Sequence, residues 1–462
     1  MSRKSGKKLE QVAVSDYAAE GKALAKVDGR VVFIEGAVPG DVVDLILTRD
    51  KKDWAEGRVV AYRTLSSDRV TPFCPHFGVC GGCKWQMLPY EHQLAFKERE
   101  VIENLRRLGK VELPEVSPIL GAEDTRYYRN KLEFTFSNRA FRVEGPPAEA
   151  TPALGFHVPR LFDKVIDIQE CHLQGGPSDT IRNTVRAFAL ANGYPFYDIR
   201  THAGWLRNLV VRVCRSGEVM VNVVFAHEDK TERERLLDHL LAVVPEISTL
   251  LFTLNPKWND SIHDLEPVTY SGPGFVLEQL GDFRFKIGPK SFFQTNTRQA
   301  ERLYGVVRDF AALTGSETLY DLYCGTGSIG IFLSRGASRV VGVEVIGEAI
   351  ADARENSRLN GIAQAEWFTG DVVDICDDAW VENQGHPDVI VTDPPRAGMH
   401  EKLVLKLLEI GAPKIVYVSC NSATQARDLQ ALDRGYRITR VQPLDLFPHT
   451  HHIENVVALE RR

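Results

Sequence analysis

The sequence predicts an α/β protein. A C-terminal Rossmann-like domain is preceded by a small, OB-like N-terminal β-barrel and a central α+β domain. Three observations carry this. From Thr297 to the end of the chain, helical and strand patterns alternate, which implies a parallel sheet covered on both faces by helices. Within that stretch a glycine-rich loop, Gly325-x-Gly327-x-x-Gly330, separates a strand pattern from a helix pattern. Residues from about 10 to 68 read instead as short β-rich runs broken by Gly and Pro. At 462 residues the chain exceeds one ordinary core. Domains are expected over 1–68, 69–285 and 286–462.

The start, Met1-Ser2-Arg3-Lys4-Ser5-Gly6-Lys7-Lys8, is basic and has no apolar stretch after it. It therefore does not read as a secretory signal and predicts a short disordered tail. Strands are expected at Arg30–Ile34, Val42–Leu47 and Gly57–Tyr62, split by Gly36, Pro39 and Gly40. A barrel of this size often binds oligonucleotides. A loop rich in Gly and Pro then carries Cys74, Cys80 and Cys83, and Glu91–Leu108 has helical spacing of Leu94, Val101, Leu105 and Leu108. The central segment mixes patterns, with a strand at Asn208–Val213 and a helix at Thr231–Val244.

In the C-terminal part, helices are expected at Thr297–Ala312, Gly330–Arg335, Gly347–Asn360 and Lys402–Ile410. Strands are expected at Glu317–Tyr323, Val340–Val345, Val389–Thr392 and Lys414–Ser419.

The composition, 44% hydrophobic and 26% charged, is that of a soluble globular protein, and no apolar run approaches bilayer length. Eight cysteines without a signal peptide point to the reducing cytoplasm, with thiols serving as metal ligands or nucleophiles. The net charge of −6 argues weakly against a nucleic-acid partner, but phosphate binding depends on a local patch. Between Arg126 and Arg142, Arg126, Arg129, Lys131, Arg139 and Arg142 stand against Glu133 alone. Tyr127, Tyr128, Phe134, Phe136 and Phe141 are interleaved with them. That pattern suits phosphate contact with base stacking, or else an exposed strand pair with aromatics facing inward.

The glycine loop follows Asp321, and Glu344 ends the next strand, where a ribose-binding acid belongs. NAD and S-adenosyl-L-methionine both fit these residues, and Asp393-Pro394-Pro395 at the end of a later strand favours the latter. Downstream, Lys414–Ser419 delivers Cys420 to its C-terminal end beside Asn421, a setting that suits a nucleophile. Asp393-Pro394-Pro395-Arg396-Ala397-Gly398, followed by Ser419-Cys420-Asn421, resembles the RNA uracil-C5 methyltransferase family. So does the ending Phe447-Pro448-His449-Thr450-His451-His452-Ile453-Glu454. The N-terminal barrel resembles a TRAM domain, an RNA-binding module of RNA-modifying enzymes.

The resemblance implies SAM-dependent methylation of a uridine in RNA, with Cys420 as nucleophile and Glu454 as the proton-removing base. It puts Gln294, Tyr323, Gly325, Ser328, Glu344, Asp371 and Asp393 at the cofactor contacts. Such chemistry needs a thiolate adding to C6, so that C5 gains enolate character and can take a methyl group. A base must then remove the C5 proton. Four thiolates from Cys74, Cys80, Cys83 and Cys171 serve zinc or an iron–sulfur cluster equally on composition; the family's cluster is 4Fe–4S. Cys214, Cys324 and Cys376 read as core residues. His449, His451 and His452 also raise the question of a metal site, without carboxylate or thiolate spacing to match.

Carrying both the barrel and the cysteine set resembles the bacterial 23S ribosomal RNA enzymes. The alternative substrate is the T-loop uridine of transfer RNA. The remaining alternatives are an amino-group methyltransferase and a non-enzymatic iron–sulfur RNA-binding protein. No obligate protein partner and no membrane partner is evident.

Overall fold

The computed structural model describes residues 6–142 and 151–462. Six strands form the N-terminal sheet: β1 (Lys8–Ala13), β2 (Asp16–Tyr17), β3 (Ala23–Val27), β4 (Arg30–Glu35), β5 (Val42–Asp50) and β6 (Trp54–Thr64). They run in the order β1-β5-β6-β4-β3-β2, antiparallel except for β4 against β6. Alternation puts Val32, Ile34, Val43, Leu45 and Ala55 into one small core. The tail expected to be disordered through residue 8 ends earlier, because Lys8 already pairs with Ile46. Residues 1–5 lie outside the described part.

The central sheet contains β7 (Lys131–Ser137), β8 (Ala153–Val158), β9 (Leu161–Asp167), β10 (Leu206–Val213), β11 (Val219–Phe225), β12 (Ile247–Leu254) and β13 (Val268–Ser271). Its order is β13-β12-β11-β10-β7-β8-β9. β10 and β11 are buried almost throughout, and the burial takes in Arg207, Asn208, Arg212 and Asn222 along with the apolar residues. Helices α2 (Ser178–Ala191) and α3 (Lys230–Val243) supply Ile181, Val185, Leu236 and Leu240 to this core.

Helix α1 (Tyr90–Asn104), extended by one π turn over Leu105–Gly109, belongs elsewhere in the packing. Its Val101 and Leu105 share a core with Tyr320, Val343 and Leu403 of the C-terminal unit. The hairpin β14 (Val276–Leu280) and β15 (Phe283–Ile287) likewise packs with Leu303, Val391 and Val418. The expected boundary at residue 286 thus falls inside β15, and the expected central segment lends two of its pieces to the core of the C-terminal unit.

The C-terminal sheet is built from β16 (Thr318–Leu322), β17 (Arg339–Glu344), β18 (Ala365–Thr369), β19 (Val389–Thr392), β20 (Lys414–Ser419), β21 (Tyr436–Leu444) and β22 (Glu454–Arg461). Around it lie α4 (Thr297–Ala311), α5 (Ser328–Leu333), α6 (Gly347–Leu359), α7 (Val372–Ile375), α8 (Asp378–Gln384), α9 (Glu401–Ile410) and α10 (Ser422–Leu432). The order is β18-β17-β16-β19-β20-β22-β21, so the winding reverses between β16 and β19. Ligands of open α/β sheets bind at such a reversal, beyond the C-terminal strand ends.

The expectation of an all-parallel sheet is corrected at its far side. β22 runs antiparallel between β20 and β21. Only residues 445–453 join β21 to β22, too few for the crossover that parallel neighbours require. No described helix is long and apolar enough to cross a membrane.

The 445–453 turn is fastened from several sides. Lys97 Nζ lies 2.7 Å from Asp445 Oδ1 with neither side chain exposed, and the same ammonium donates to the Phe447 carbonyl. Tyr90 donates to Asp445 Oδ2, and Phe447 N donates to Oδ1. Gln93 Oε1 accepts from His449 N, and Tyr128 donates to the Pro448 carbonyl. Removing one partner of a fully buried pair strands the other charge. Asp445→Ala should therefore lower stability by about 3–5 kcal/mol, read from urea unfolding of the C-terminal unit. Lys97→Met combined with Asp445→Leu should recover most of that loss. A loss below about 1 kcal/mol in the single variant, the range of an exposed pair, would show that the pair is solvated.

Candidate active site

At the reversal point, the chain leaving β16 turns through Gly325 and Gly327 into α5. Both glycines have positive φ, +52° and +74°. A side chain at Gly327 would strike Trp367 at 2.8 Å, whereas at Gly325 it would meet nothing within 4 Å. Gly327 is thus needed for packing, and Gly325 lines open space. Asp321, at the end of β16, accepts from Gly330 N through Oδ2, while its buried Oδ1 has no partner. Burial pushes this carboxyl up to about 7. Glu344, ending β17, accepts from Gly325 N at 3.2 Å and Ile346 N at 3.0 Å.

Glu344 therefore stands on the glycine loop as an acceptor, suited to ribose hydroxyls, and the open side of Gly325 leaves room for a nucleoside. Tyr323 holds φ at +61°, and Ser328 Oγ lies 2.8 Å from the Tyr304 hydroxyl. Asp371 is exposed after β18 and caps α7 through Val373 N, close enough for its charge to act on Tyr323. Gln294 lies before α4, where its carbonyl accepts from Asn130 of the central domain.

Cys420 follows β20 and is half-buried; Asn421 next to it caps α10 and donates through Nδ2 to the Arg396 carbonyl. The antiparallel seat of β22 then matters. Ser419 pairs with Asn455, so the last residue of β20 and the first of β22 meet at one end of the sheet. Glu454, only 5% exposed, comes beside Cys420 and Asp393.

Burial, reinforced by Glu454 and Asp393, pushes the Cys420 thiol up to about 11; the Arg396 guanidinium opposes this. Burial and then Asp393 likewise hold Glu454 well above the carboxylate range, again against Arg396. Asp393 is raised to about 7 by burial alone. The cluster is coupled and rich in protons, with one adjacent guanidinium favouring the charged forms. Arg396 was visible in the Asp-Pro-Pro-Arg motif, but residue types alone assigned it no role.

Cys74, Cys80, Cys83 and Cys171 line a common cavity of about 470 Å³, which Phe292 and Phe293 also line. Burial pushes all four thiols up; Cys171 and Cys74 add to the shift of Cys80, Cys74 to that of Cys171, and all three to that of Cys83. Among the described residues, no three His, Cys, Asp or Glu side chains close to metal-ligating spacing. The thiols share a space without forming a finished cage. The histidine run is no ligand set either. His449 Nδ1 lies 3.2 Å from Gln93 Nε2, and His452 Nδ1 3.3 Å from Arg396. Cys214, Cys324 and Cys376 are buried, as expected of core residues.

The Arg126–Arg142 stretch divides. Phe134 and Phe136 are core residues of β7 and Tyr128 is buried, so these rings are unavailable for stacking on a ligand, and of the two sequence readings the inward-facing one holds for them. Arg126 lies over the Phe73 ring and Arg139 pairs with Asp198. Tyr127 is exposed, and Arg129 and Lys131 line the cysteine cavity.

Comparison with known proteins gives three family matches. Residues 3–60 match the TRAM domain, 307–412 the methyltransferase small domain, and 381–462 tRNA (Uracil-5-)-methyltransferase. An RNA methyltransferase of Bacteroides thetaiotaomicron is 50% identical over 96% of this chain and all of its own. One from Porphyromonas gingivalis is 49% identical over 97% of this chain and 99% of its own. In structure, the chain is similar to the Pyrococcus abyssi tRNA (uracil-54, C5)-methyltransferase in complex with S-adenosyl-L-homocysteine. The TM-score is 0.76 at 27% identity, covering 98% of this chain and 100% of that one.

A thiol with its midpoint near 11 is still gaining thiolate well above neutrality. Alkylation of Cys420 by iodoacetamide in the protein alone should therefore rise about tenfold per pH unit from pH 7 to 10. Peptide mass spectrometry isolates this site from the other cysteines. A plateau near pH 8 would contradict the electrostatics described.

Proposed function

The chain belongs to the RNA uracil-5-methyltransferase family with a TRAM domain, a family of SAM-dependent RNA methyltransferases. On that footing we propose that it methylates C5 of one uridine in 23S ribosomal RNA by covalent catalysis through Cys420. The observation that supports this best is the meeting of Cys420, Glu454 and Arg396 at one strand end, next to the glycine loop. The second reading is the T-loop uridine of transfer RNA, favoured by the full-length likeness to the Pyrococcus abyssi enzyme.

Arg396 favours the thiolate of Cys420; the thiol proton passes to solvent water and Sγ adds to C6 of the extruded uracil. The C5–C6 π electrons move toward O4, leaving an enolate with nucleophilic character at C5. S-adenosyl-L-methionine would be held by Glu344, Tyr323, Gly325, Ser328, Asp371, Asp393 and Gln294, and would supply the methyl group for C5, its S–CH3 bond breaking to leave S-adenosyl-L-homocysteine. Glu454, once its own proton has passed to solvent water, takes the C5 proton. The electrons of that C–H bond restore the C5–C6 double bond as the Cys420 sulfur leaves with its own pair.

Cys74, Cys80, Cys83 and Cys171 would hold a 4Fe–4S cluster. Their common cavity and all-thiol donor set suit it. The cluster would tie the cysteine loop to the central domain, and C5 methylation by the thiolate route needs no electron from it. Anaerobically purified protein should be brown and contain about four irons. One zinc per chain, with no iron in iron-replete cells, would overturn that assignment.

RNA carrying 5-fluorouracil at the target should trap the wild-type protein covalently, since fluorine does not leave as a proton does. Cys420→Ala should give no adduct, and an adduct of undiminished yield from that variant would refute the assignment. Glu454→Gln should accumulate a methylated protein–RNA adduct and turn over about 10²–10⁴-fold more slowly. Turnover at the wild-type rate would hand the proton to another group.

A further inference from the structure

The histidine run before Glu454 is the motif that the mechanism leaves unused, and one of its rings faces the catalytic cluster. His452 Nδ1 stands 3.3 Å from an Arg396 terminal nitrogen. A guanidinium has only donors, so Nδ1 accepts here and the imidazole proton sits on Nε2. The ring is itself located by its surroundings. His452 N donates to Thr450 Oγ1, Phe447 meets the ring edge-on at 6.2 Å, and His451 lies against it at 4.2 Å. All of these stand on the turn fastened by Lys97 and Asp445.

Arg396 needs such an anchor. Its carbonyl is fixed by Asn421 Nδ2 and Thr424 Oγ1, but the residue is exposed and its long side chain has many rotamers open to it. Its guanidinium is also the cation that opposes the upward push on both Cys420 and Glu454. We propose that His452 is a positioning residue, whose Nδ1 holds the Arg396 guanidinium over Cys420 so that the thiolate forms in place.

Burial, followed by Arg396, Lys97, Lys84 and Arg129, pushes His452 down to about 4. The imidazole therefore stays an acceptor across the working range and does not switch with pH. Cys420 in turn is faced by Glu454, Asp393 and Arg396. The proposal rests on Cys420 being the nucleophile, and its test is kept separate from that question.

The test is the pH profile of Cys420 alkylation by iodoacetamide, without RNA or cofactor, in full-length variants. His452→Ala should shift the profile upward by about one pH unit, a rate loss of about tenfold at pH 8, and Arg396→Gln should do the same. The double variant should be no slower than Arg396→Gln alone. His452→Asn, which keeps an acceptor, should stay within about threefold of wild type, whereas His452→Leu should behave as Ala does. Far-ultraviolet circular dichroism and urea midpoints monitor folding; should His452→Ala fail to fold, the Asn and Leu pair carries the comparison. An unshifted profile in His452→Leu, or an additive loss in the double variant, would overturn the proposal. A 5-fluorouracil adduct on some other residue would instead remove the nucleophile assignment and leave these profiles as they are.

Discussion

The turn between β21 and β22 is where the parts of the molecule meet, and a lysine and an aspartate without solvent contact hold it in place. Lys97 comes from α1, directly after the cysteine loop, and Asp445 opens the turn. Trp85 N and Lys84 N donate to the His449 carbonyl from the cysteine loop itself, and Asn296 and Gln299 reach the turn from the start of α4. A buried ion pair is a weak source of net stability compared with apolar packing, because both charges lose their water. It is strict about geometry, since either charge alone in that interior is costly. Strictness is what this position requires, because the residue after the turn is Glu454.

Geometry and electrostatics at the site follow from the same strand. Had β22 been parallel to β20, its first residue would lie at the opposite end of the sheet from Cys420. The antiparallel insertion instead sets a carboxyl and a thiol side by side in a buried place, with Asp393 close by. Burial disfavours each charge, so the protons stay on until something shifts the balance. Groups coupled so closely titrate as a set. A single guanidinium supplied from the Asp393–Gly398 turn is the counterweight, which makes its exact placement matter more than that of an ordinary surface arginine.

Much of this was legible in the sequence. The helix and strand alternation after Thr297 identified the doubly covered sheet, because 3.6-residue and two-residue periods are written directly in the apolar positions. The expected strands Lys414–Ser419 and Val389–Thr392 coincide with β20 and β19. The direction of β22 was not legible, since periodicity carries no sign. The length of the 445–453 connection was the usable clue. The role of Phe134 and Phe136 stayed open between stacking and core, because interleaved aromatics and cations describe an alternating buried strand equally well. Lys97 and Asp445 stand 348 positions apart, and nothing local in a lysine on an amphipathic helix announces a buried partner at that distance. The packing of α1 and the β14–β15 hairpin into the catalytic core was hidden for the same reason. Domain boundaries drawn from composition follow the chain, whereas cores follow contacts.

The most direct test of uridine C5 methylation through Cys420 is the 5-methyluridine content of 23S ribosomal RNA from a strain lacking this gene. Nuclease digestion and mass spectrometry should show one such nucleotide missing, restored by the wild-type gene and not by Cys420→Ser. An unchanged 5-methyluridine content, or restoration by Cys420→Ser, would contradict the function proposed. A loss confined to transfer RNA would keep the chemistry and contradict the substrate.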